Sequence, residues 1–583
     1  MTKRSVTFNH NPLLAKGLPV WRPRVVLLAL LCGSFALVAR AGYLQGVNDD
    51  FLQAKGESRY ARVIEIPATR GKITDRHGTV LAASTPVKSI WAIPGDAKLT
   101  PADARKLAGL LDIDVRDLNH RLGKDGDFVY LKRQVPPEVA ERVAEMKLAG
   151  IHEQREYRRY YPGAEVMSHL LGFTGVDDHG QEGVELAYDG QLNGKPGSRR
   201  VIKDRRGQIV EDVESIRTPQ EGKDIALSID AKVQYLAYSA LQSAMETHRA
   251  KAGSVVVLDA RSGEVLAMVN APSFNPNNRE SLTGAQLRNR AVTDTFEPGS
   301  VLKPIIAAMA LESGKFRFDT VIDTGNGRMT VANATISDTK PHGRLTVAEV
   351  IQKSSNIGTV RMAMTFKPQE MWQVYDEMGL GASMQLGFPG EATGRLRPAS
   401  TWRPIEQATM AYGYGVSASL MQLARAYLVF ARDGEMIPVT LTRSEAPPQG
   451  GRRVVSAQTA RETRAMMEMV TQTGGTAVHG QVPGYRVAGK TGTSHKLEGA
   501  QYTTKYIASF VGLAPVSDPR LVVAVMIDEP SGKRYYGGQV AGPVFSRVMA
   551  GALRALSVPP DAPVTPLQVA RGKEEAVASR ERM

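Results

Sequence analysis

Apolar residues near the N-terminus of the chain form one long run. Val25 to Leu44 is a stretch of 20 residues that carries a single charge, Arg40. As a helix this stretch would span about 30 Å, the thickness of the hydrocarbon core of a bilayer. The pattern predicts a transmembrane helix at residues 25–44, a short segment at 1–24 before it and a linker at 45–60 after it.

The charges around this predicted helix lie on one side of it. Five basic residues precede it, and the first acidic residue in the chain is Asp49. Because basic flanks stay in the cytoplasm, the N-terminus is expected there, with everything after residue 45 exported. A cleaved signal peptide is the alternative, since Ala39-Arg40-Ala41 resembles a cleavage site. The apolar stretch is long for a signal peptide, which favours an uncleaved anchor.

Further along, short apolar runs alternate with helical periodicity. Two pairs of apolar runs, 253–259 with 264–270 and 506–514 with 520–527, are each joined by a polar turn and predict β-hairpins. Helical patterns lie between these pairs, at 301–313, 346–366, 403–432 and 456–472. Strand pairs that flank a helical block predict an α+β fold, in which helices cover an antiparallel sheet.

The remaining exported chain differs in pattern from this block. The segment before it mixes β-like runs, a helical stretch at 101–123 and charged turns. We therefore predict a mixed α/β domain at 61–222 and the α+β domain at 223–556. Residues 557–583 are rich in proline and then in charge, which predicts a disordered tail.

Composition narrows the possible functions. The 583 residues carry a net charge of +14, but lysine and arginine are spread along the chain, which disfavours nucleic-acid binding. The only cysteine, Cys32, lies in the apolar run, so an intrachain disulfide and a cysteine zinc cluster are excluded. No cluster of ligating residues suggests a metal, and we predict no metal and no cofactor.

Candidate chemistry begins at Ser300-Val-Leu-Lys303. A serine hydroxyl needs a nearby base to become a nucleophile, and residues three apart on a helix share a face. Pro298-Gly299 before this motif and the apolar run after it predict that a helix begins here, with Pro304 tolerated in its first turn. A second match, Ser337 to Lys340, lies in a polar stretch and is predicted to be an exposed loop.

Two further motifs follow in order along the chain. Ser354-Ser-Asn356 comes after a capping box that opens a short helix, and a second helix resumes behind it. Lys490-Thr-Gly-Thr493 follows Tyr485 to Gly489, which is predicted to be a strand. In this motif Lys490 and Thr491 offer a charge and a hydroxyl to a carboxylate, and Gly492 allows a substrate backbone to approach the sheet edge.

The ordered trio resembles the set of motifs found in β-lactamases and penicillin-binding proteins. The chain is similar above all to the class B penicillin-binding proteins, and within them to the division type. Signatures similar to those of the N-terminal pedestal of that family occur at residues 70–82, 159–163 and 180–185. Phe296-Glu-Pro-Gly-Ser300 and Tyr412-Gly-Tyr-Gly415 favour the division type over the elongation type.

The resemblance implies a peptidoglycan D,D-transpeptidase that β-lactams acylate. Ser300 would attack the bond between two D-alanines, with Lys303 as the base, although which lysine acts as the base stays open. Ser354 would relay a proton to the leaving D-alanine, Asn356 would hold Lys303 and the substrate, and Lys490 would tune the cluster.

For the substrate side, the resemblance implies that Thr491 and Thr493 bind the terminal carboxylate or amide. The backbone N–H groups of Ser300 and Thr493 would form the oxyanion hole. The implied partners are D-Ala-D-Ala stem peptides, β-lactam antibiotics, the septal glycan polymerase FtsW and other division proteins. The implied location is the bacterial inner membrane, with one membrane pass and the catalytic domain in the periplasm.

Other functions stay open at this point. The alternatives are an elongation-type transpeptidase, a β-lactamase or D,D-carboxypeptidase with the same acylation chemistry, and a non-catalytic penicillin sensor or scaffold, since sensor domains keep the acylating serine. A Ser-His-Asp triad is disfavoured because no G-x-S-x-G elbow surrounds Ser300. Class A β-lactamases activate water with a glutamate that is followed four residues later by asparagine. No asparagine follows Asn356 in this chain, so that element is absent, which disfavours a class A β-lactamase.

Overall fold

The computed structural model of the chain describes residues 19, 21–44, 61–124, 126, 128–203, 209–280, 282–446, 451–499, 501–532 and 534–563. The predicted linker at 45–60 lies outside the described residues. So do most of the predicted N-terminal segment and of the predicted tail.

Helices and strands alternate through most of the described chain. The strands are β1 (Ala61–Ile66), β2 (Ile73–Thr74), β3 (Val80–Ala92), β4 (Val129–Val135), β5 (Ile151–Tyr160), β6 (Gly197–Lys203), β7 (Ile209–Arg217), β8 (Ile225–Ala226), β9 (Ala252–Asp259), β10 (Val265–Ala271), β11 (Val321–Gly325), β12 (Arg328–Val331), β13 (Ala334–Ser337), β14 (Gly343–Thr346), β15 (Glu435–Met436), β16 (Arg452–Arg453), β17 (Ala488–Glu498), β18 (Gln501–Ala514) and β19 (Leu521–Asp528). The α-helices are α1 (Trp21–Gly42), α2 (Pro101–Leu111), α3 (Val115–Leu122), α4 (Pro137–Glu145), α5 (Ala164–Leu171), α6 (Gly183–Ala187), α7 (Asp189–Leu192), α8 (Ala231–His248), α9 (Gly284–Leu287), α10 (Arg290–Thr293), α11 (Lys303–Glu312), α12 (Val347–Lys353), α13 (Asn356–Ala363), α14 (Pro368–Glu377), α15 (Pro404–Ala411), α16 (Leu420–Ala431), α17 (Ala457–Thr471) and α18 (Gly537–Ala555).

The described residues fall into two compact units. The smaller unit comprises the chain up to Ala68 together with Lys195–Gln220. It holds α1 and an antiparallel sheet with the strand order β1-β6-β7. The larger unit comprises the chain from Thr69 to Gly194 and from Glu221 onward. This division follows spatial packing, and the boundary expected at residue 222 stays a prediction.

Helix α1 is the apolar helix expected at the N-terminus. It is 22 residues long, has a mean hydropathy of 2.1 and buries none of its residues against the rest of the structure. A helix of this length and composition is sufficient to cross a bilayer. It is therefore a candidate membrane span, beginning slightly earlier than the predicted residue 25.

The core of the larger unit is a five-stranded antiparallel sheet with the order β10-β9-β19-β18-β17. Both predicted hairpins are present in it, as β9–β10 and β18–β19. Every residue of β9 and β10 is buried, because helices cover both faces of the sheet. α8 and α18 pack together on one face, and α16 packs on the other. The predicted α+β class, with helices covering an antiparallel sheet, is confirmed.

The N-terminal part of the larger unit has a sheet and a core of its own. Its strand order is β4-β3-β2-β8, and β5 pairs with β3 on the side opposite to β4. Helices α2, α3 and α4 supply the apolar residues that cover one face of β3 and β4. The three predicted pedestal signatures meet at one buried carboxylate. Arg70 and Arg159, from the first two signatures, form ion pairs with Glu185 of the third, at 2.7 and 2.6 Å.

Two of the local predictions were wrong in detail. The helical pattern at 403–432 forms two helices, because a turn at Tyr412–Gly415 separates α15 from α16. Gly413 there has φ +90°, and a Cβ on it would lie 2.0 Å from the carbonyl oxygen of Gly299. The strand expected from Tyr485 begins only at Ala488, since Tyr485 closes a tight turn with Val482.

Candidate active site

The candidate nucleophile lies on a tight turn at the start of α11. Gly299–Leu302 is a 3₁₀ turn, and the backbone N–H of Lys303 donates to the carbonyl of Ser300. Side chains three apart on a 3₁₀ turn are nearly eclipsed, so Ser300 and Lys303 point to the same side. Ser300 is half-buried, whereas Lys303 is fully buried.

The Lys303 amine is held by oxygen atoms from the Ser-Ser-Asn motif. Its Nζ donates to the Ser354 carbonyl at 2.5 Å, to the Asn356 Oδ1 at 2.7 Å and to the Ser354 Oγ at 3.2 Å. Burial disfavours the charged form and lowers the pKa of Lys303 to about 7, although the carboxylate of Asp338 opposes that shift. Near neutral pH, a large fraction of this amine is therefore uncharged.

A second buried lysine reaches the same hydroxyl from the sheet. Lys490 on β17 donates from its Nζ to the Ser354 Oγ at 2.9 Å. Burial, and then the nearby charge of Lys303, hold the pKa of Lys490 well below its usual range. Two ammonium groups beside one hydroxyl repel each other, so the pair does not carry two charges near pH 7.

Backbone geometry fixes the hydroxyl that the lysines share. Ser354 is the C-terminal cap of α12 and has φ +60°, in the left-handed region. For a residue other than glycine, this left-handed conformation costs roughly 1–2 kcal/mol of conformational free energy. Ser355 then caps α13 by accepting from the N–H of Gly358. The capping box predicted before this loop is present, formed by Thr346 and Glu349.

Asp338 is a site residue that the sequence reasoning missed. Its carboxylate accepts from the Ser355 hydroxyl at 2.6 Å and from the backbone N–H of Asn356 at 2.5 Å. The carbonyl of Ser337 accepts from the Asn356 Nδ2 at 2.8 Å. The segment from Ser337 is exposed as predicted, but it also anchors the start of α13. The sequence signal that could have identified Asp338 is the presence of an acidic residue inside the second Ser-x-x-Lys match, Ser337 to Lys340.

The threonines of the third motif lie along β17. Thr491 Oγ1 is 3.1 Å from Thr476 Oγ1 and also accepts from Lys490 at 3.3 Å. Thr493 Oγ1 accepts from the backbone N–H of Gly537, at the start of α18. Because a hydroxyl that accepts can still donate, Thr493 keeps a hydrogen for a ligand.

Gly492 has a packing role in addition to the predicted substrate role. A Cβ on Gly492 would lie 2.3 Å from Ser509 Oγ, 2.7 Å from the Pro298 carbonyl oxygen and 2.9 Å from a methyl group of Val301. The missing side chain therefore allows the turn that carries Ser300 to rest directly on β17. A larger residue at position 492 would push the nucleophile turn away from the lysine–threonine strand.

Glu297 links three segments around this turn. Its Oε1 accepts from the N–H of Gly415 at 2.7 Å and from the hydroxyl of Tyr502 at 3.2 Å. Burial raises the pKa of this carboxyl. The sequence reasoning treated Glu297 only as part of a signature and gave it no contact.

The predicted motifs meet in one cluster. Lys303, Ser354, Asn356 and Lys490 form a continuous network of hydrogen bonds, and Thr491 extends it along the strand. The turn with Ser300 packs on the same strand at Gly492. The catalytic and binding roles assigned to these residues stay predictions.

Two family models match the sequence of this chain. A family model described as the penicillin binding protein transpeptidase domain matches residues 253–550. A second, described as the penicillin-binding protein dimerisation domain, matches residues 65–227. The chain therefore belongs to the penicillin-binding protein transpeptidase family, and the predicted resemblance is confirmed.

Curated relatives extend this likeness over most of the chain. The chain is 44% identical over 561 residues to the probable peptidoglycan D,D-transpeptidase PenA of Neisseria gonorrhoeae, covering 95% of each protein. It is 41% identical over 550 residues to the peptidoglycan D,D-transpeptidase FtsI of Escherichia coli (strain K12), covering 92% of this chain and 93% of that one. Among solved structures, the apo TP domain of Burkholderia pseudomallei penicillin-binding protein 3 is 51% identical, with a TM-score of 0.54. That match covers 58% of this chain and 98% of the other.

Proposed function

We propose that this D,D-transpeptidase cross-links the peptidoglycan of the division septum through an acyl-enzyme on Ser300. The observation that carries the mechanism is the convergence of two fully buried lysines, Lys303 and Lys490, on one hydroxyl beside the serine turn. Burial favours a neutral amine, and only a neutral amine can accept a proton.

In the first half-reaction, Ser300 Oγ attacks the carbonyl carbon between the two D-alanines of a donor stem peptide. The hydroxyl proton passes to the neutral amine of Lys303. The negative charge that develops on the carbonyl oxygen is held by the backbone N–H groups of Ser300 and Thr493. The C–N bond then breaks, and the ester on Ser300 remains.

The leaving D-alanine must take a proton as the C–N bond breaks. Both lone pairs of Ser354 Oγ are occupied, since Lys303 and Lys490 donate to it. A hydroxyl has one hydrogen and two acceptor positions, so the Ser354 hydrogen is available to the leaving amine. Ser354 can then take a proton from Lys303, which completes the relay.

Asn356 and the threonines are the binding elements of this proposal. The Asn356 Oδ1 fixes the Lys303 amine, while Thr491 and Thr493 donate to the carboxylate of the terminal D-alanine. In the second half-reaction the amine of another stem peptide attacks the ester carbonyl and forms the new amide. The ester C–O bond breaks, and the proton that the amine loses returns through Lys303 to the Ser300 Oγ.

The acyl-enzyme is tested directly by labelling with a fluorescent penicillin. We expect one labelled peptide, containing Ser300, in the mass spectrum of the digested protein. Ser300→Ala should abolish the label. The matched control, Ser337→Ala, removes the exposed serine of the other Ser-x-x-Lys match and should leave labelling unchanged. Label on Ser337, or label that survives Ser300→Ala, contradicts the mechanism.

The cellular role rests on the division-type signatures and on the similarity to FtsI. By that resemblance the partners are FtsW and other division proteins. The charge asymmetry around α1 supports a cytoplasmic N-terminus and a periplasmic catalytic domain. Depletion in the native host tests the role, because loss of septal cross-linking yields filaments. Round cells would instead assign the enzyme to elongation.

A further inference from the structure

Four aromatic side chains lie side by side on the N-terminal sheet of the larger unit. Trp91 on β3 is paired directly with Tyr130 on β4 and with His152 on β5. Phe128 lies immediately before β4. Ring centroids are 4.5 Å apart for Trp91 and His152, 4.9 Å for Trp91 and Phe128, and 4.7 Å for Phe128 and Tyr130. We refer to these four residues as the aromatic strip.

The aromatic strip belongs to neither hydrophobic core of the described residues. The core side of the same strands carries Ile90, Ala92 and Leu131, which pack with helices α2 to α4. The described residues that pack against that core include none of the four rings. Phe128 is 48% exposed, and the other three rings are half-buried. Packing of the fold therefore does not account for four adjacent aromatic residues here.

Polar groups border the rings. The guanidinium of Arg133 lies 4.8 Å from the centre of the Tyr130 ring and is held there by Glu156 and Asp177. This arrangement combines flat apolar faces with fixed hydrogen-bonding groups at the edge. An aromatic ring with a polar edge suits a ligand that is itself amphipathic.

We propose that the aromatic strip is a binding subsite for the glycan strand of peptidoglycan, stacking the C–H faces of its sugar rings. This inference rests on the proposed function, which makes peptidoglycan the substrate. Hydroxyl and acetamido groups of the sugars are suited to the polar edge at Arg133. A sugar ring offers one apolar face and many hydrogen-bonding groups, the same combination that the strip presents.

The size of the strip favours a narrow ligand over a protein partner. An aromatic side chain offers about 150–250 Å² when fully exposed, and three of these four rings are half-buried. A stable protein interface needs about 800 Å² on each partner. A glycan strand, in contrast, is narrow, and a single row of aromatic rings is enough to stack on its sugars.

The test uses peptide-free glycan strands, released from sacculi by an amidase, as the probe. They are titrated into the full-length protein in detergent after acylation by penicillin, so that the catalytic site is blocked. Calorimetry should detect binding to the native protein. Trp91→Ala and Phe128→Ala should each weaken it about fivefold to tenfold, as expected for loss of one stacking contact. Tyr235→Ala, which removes a tyrosine that is 60% exposed on α8, should leave it unchanged.

Three results would overturn the inference. They are no glycan binding by the native protein, glycan binding by both strip variants that is as tight as that of the native protein, and binding of a protein partner through the strip without any binding of glycan. Penicillin labelling of each variant reports on folding and on the proposed function independently. Normal labelling without glycan binding removes only the glycan subsite, whereas absent labelling in the native protein removes the proposed function.

Discussion

The rate of acylation by penicillin should depend on pH through Lys303. Burial lowers the pKa of this lysine from 10.5 to about 7. Since the pKa is lowered, the neutral and reactive amine becomes populated as the pH rises through 7. About 3% is neutral at pH 5.5, half at pH 7 and about 97% at pH 8.5 for a simple titration. The rate of acylation should therefore rise about thirtyfold from pH 5.5 to 8.5, by up to tenfold for each pH unit.

The assay is stopped-flow acylation of the full-length protein by a fluorescent penicillin at subsaturating concentrations. Circular dichroism at each pH checks that the fold is retained. A flat profile, or a rise centred near the ordinary lysine pKa, would refute a neutral Lys303 as the base. A bell-shaped profile in this range would point to a second titrating group, such as Lys490.

A substitution assigns the inflection to Lys303. The carboxylate of Asp338 raises the pKa of Lys303, so Asp338→Asn should move the inflection to lower pH. The position of the inflection, and not the absolute rate, is the readout, because Asp338 also holds Ser355 and Asn356. Asp319→Asn, which removes an exposed carboxylate, is the matched control. An unmoved inflection would assign the titration to another group.

Four further outcomes are expected. Lys303→Arg should abolish acylation, because arginine does not release its proton, while the circular dichroism spectrum stays native. Normal acylation by this variant would leave Lys303 only an electrostatic role. Gly492→Ala should lower the free energy of unfolding by about 1–3 kcal/mol, measured with denaturant, because the new Cβ would clash with Ser509. The control is Gly190→Ala, whose Cβ would enter open space. Equal effects of the two substitutions would contradict this account. The penicillin label should persist for many minutes after free drug is removed, whereas loss within seconds would indicate a β-lactamase. The full-length protein should stay in the membrane fraction, and a mature N-terminus at Gly42 would instead show cleavage.

Local signals predicted the parts of the fold that depend on neighbouring residues. The hairpin at β9–β10 follows from two apolar runs around a polar turn, and the capping box at Thr346 follows from its spacing to Glu349. The order of the central sheet could not be read in this way. β9 pairs with β19, which lies about half of the chain further along in sequence, and no local pattern records that pairing.

The same distinction applies to the candidate site. The three motifs were recognisable because each combines reactive residue types at a fixed short spacing. Asp338 and Glu297 were missed, because their contacts depend on loops that meet only in the folded protein. The packing role of Gly492 was hidden for a similar reason, since the atoms that exclude a Cβ belong to Ser509 on the next strand and to a turn almost 200 residues earlier.

The site residues that were found share another property, which is that they conflict with the structure around them. Lys303 is fully buried in a helix whose next seven residues are buried as well, and Lys490 is fully buried on β17, an edge strand of the central sheet. Removing a lysine amine from water costs several kcal/mol when it stays charged. Ser354 adds the strain of a left-handed backbone. Apolar residues at 303 and 490 would remove the desolvation cost, but they would leave the oxygens of Ser354 and Asn356 without donors. The network is therefore understandable only as a unit, and the conflicts with local rules mark the place where stability is exchanged for a reactive amine.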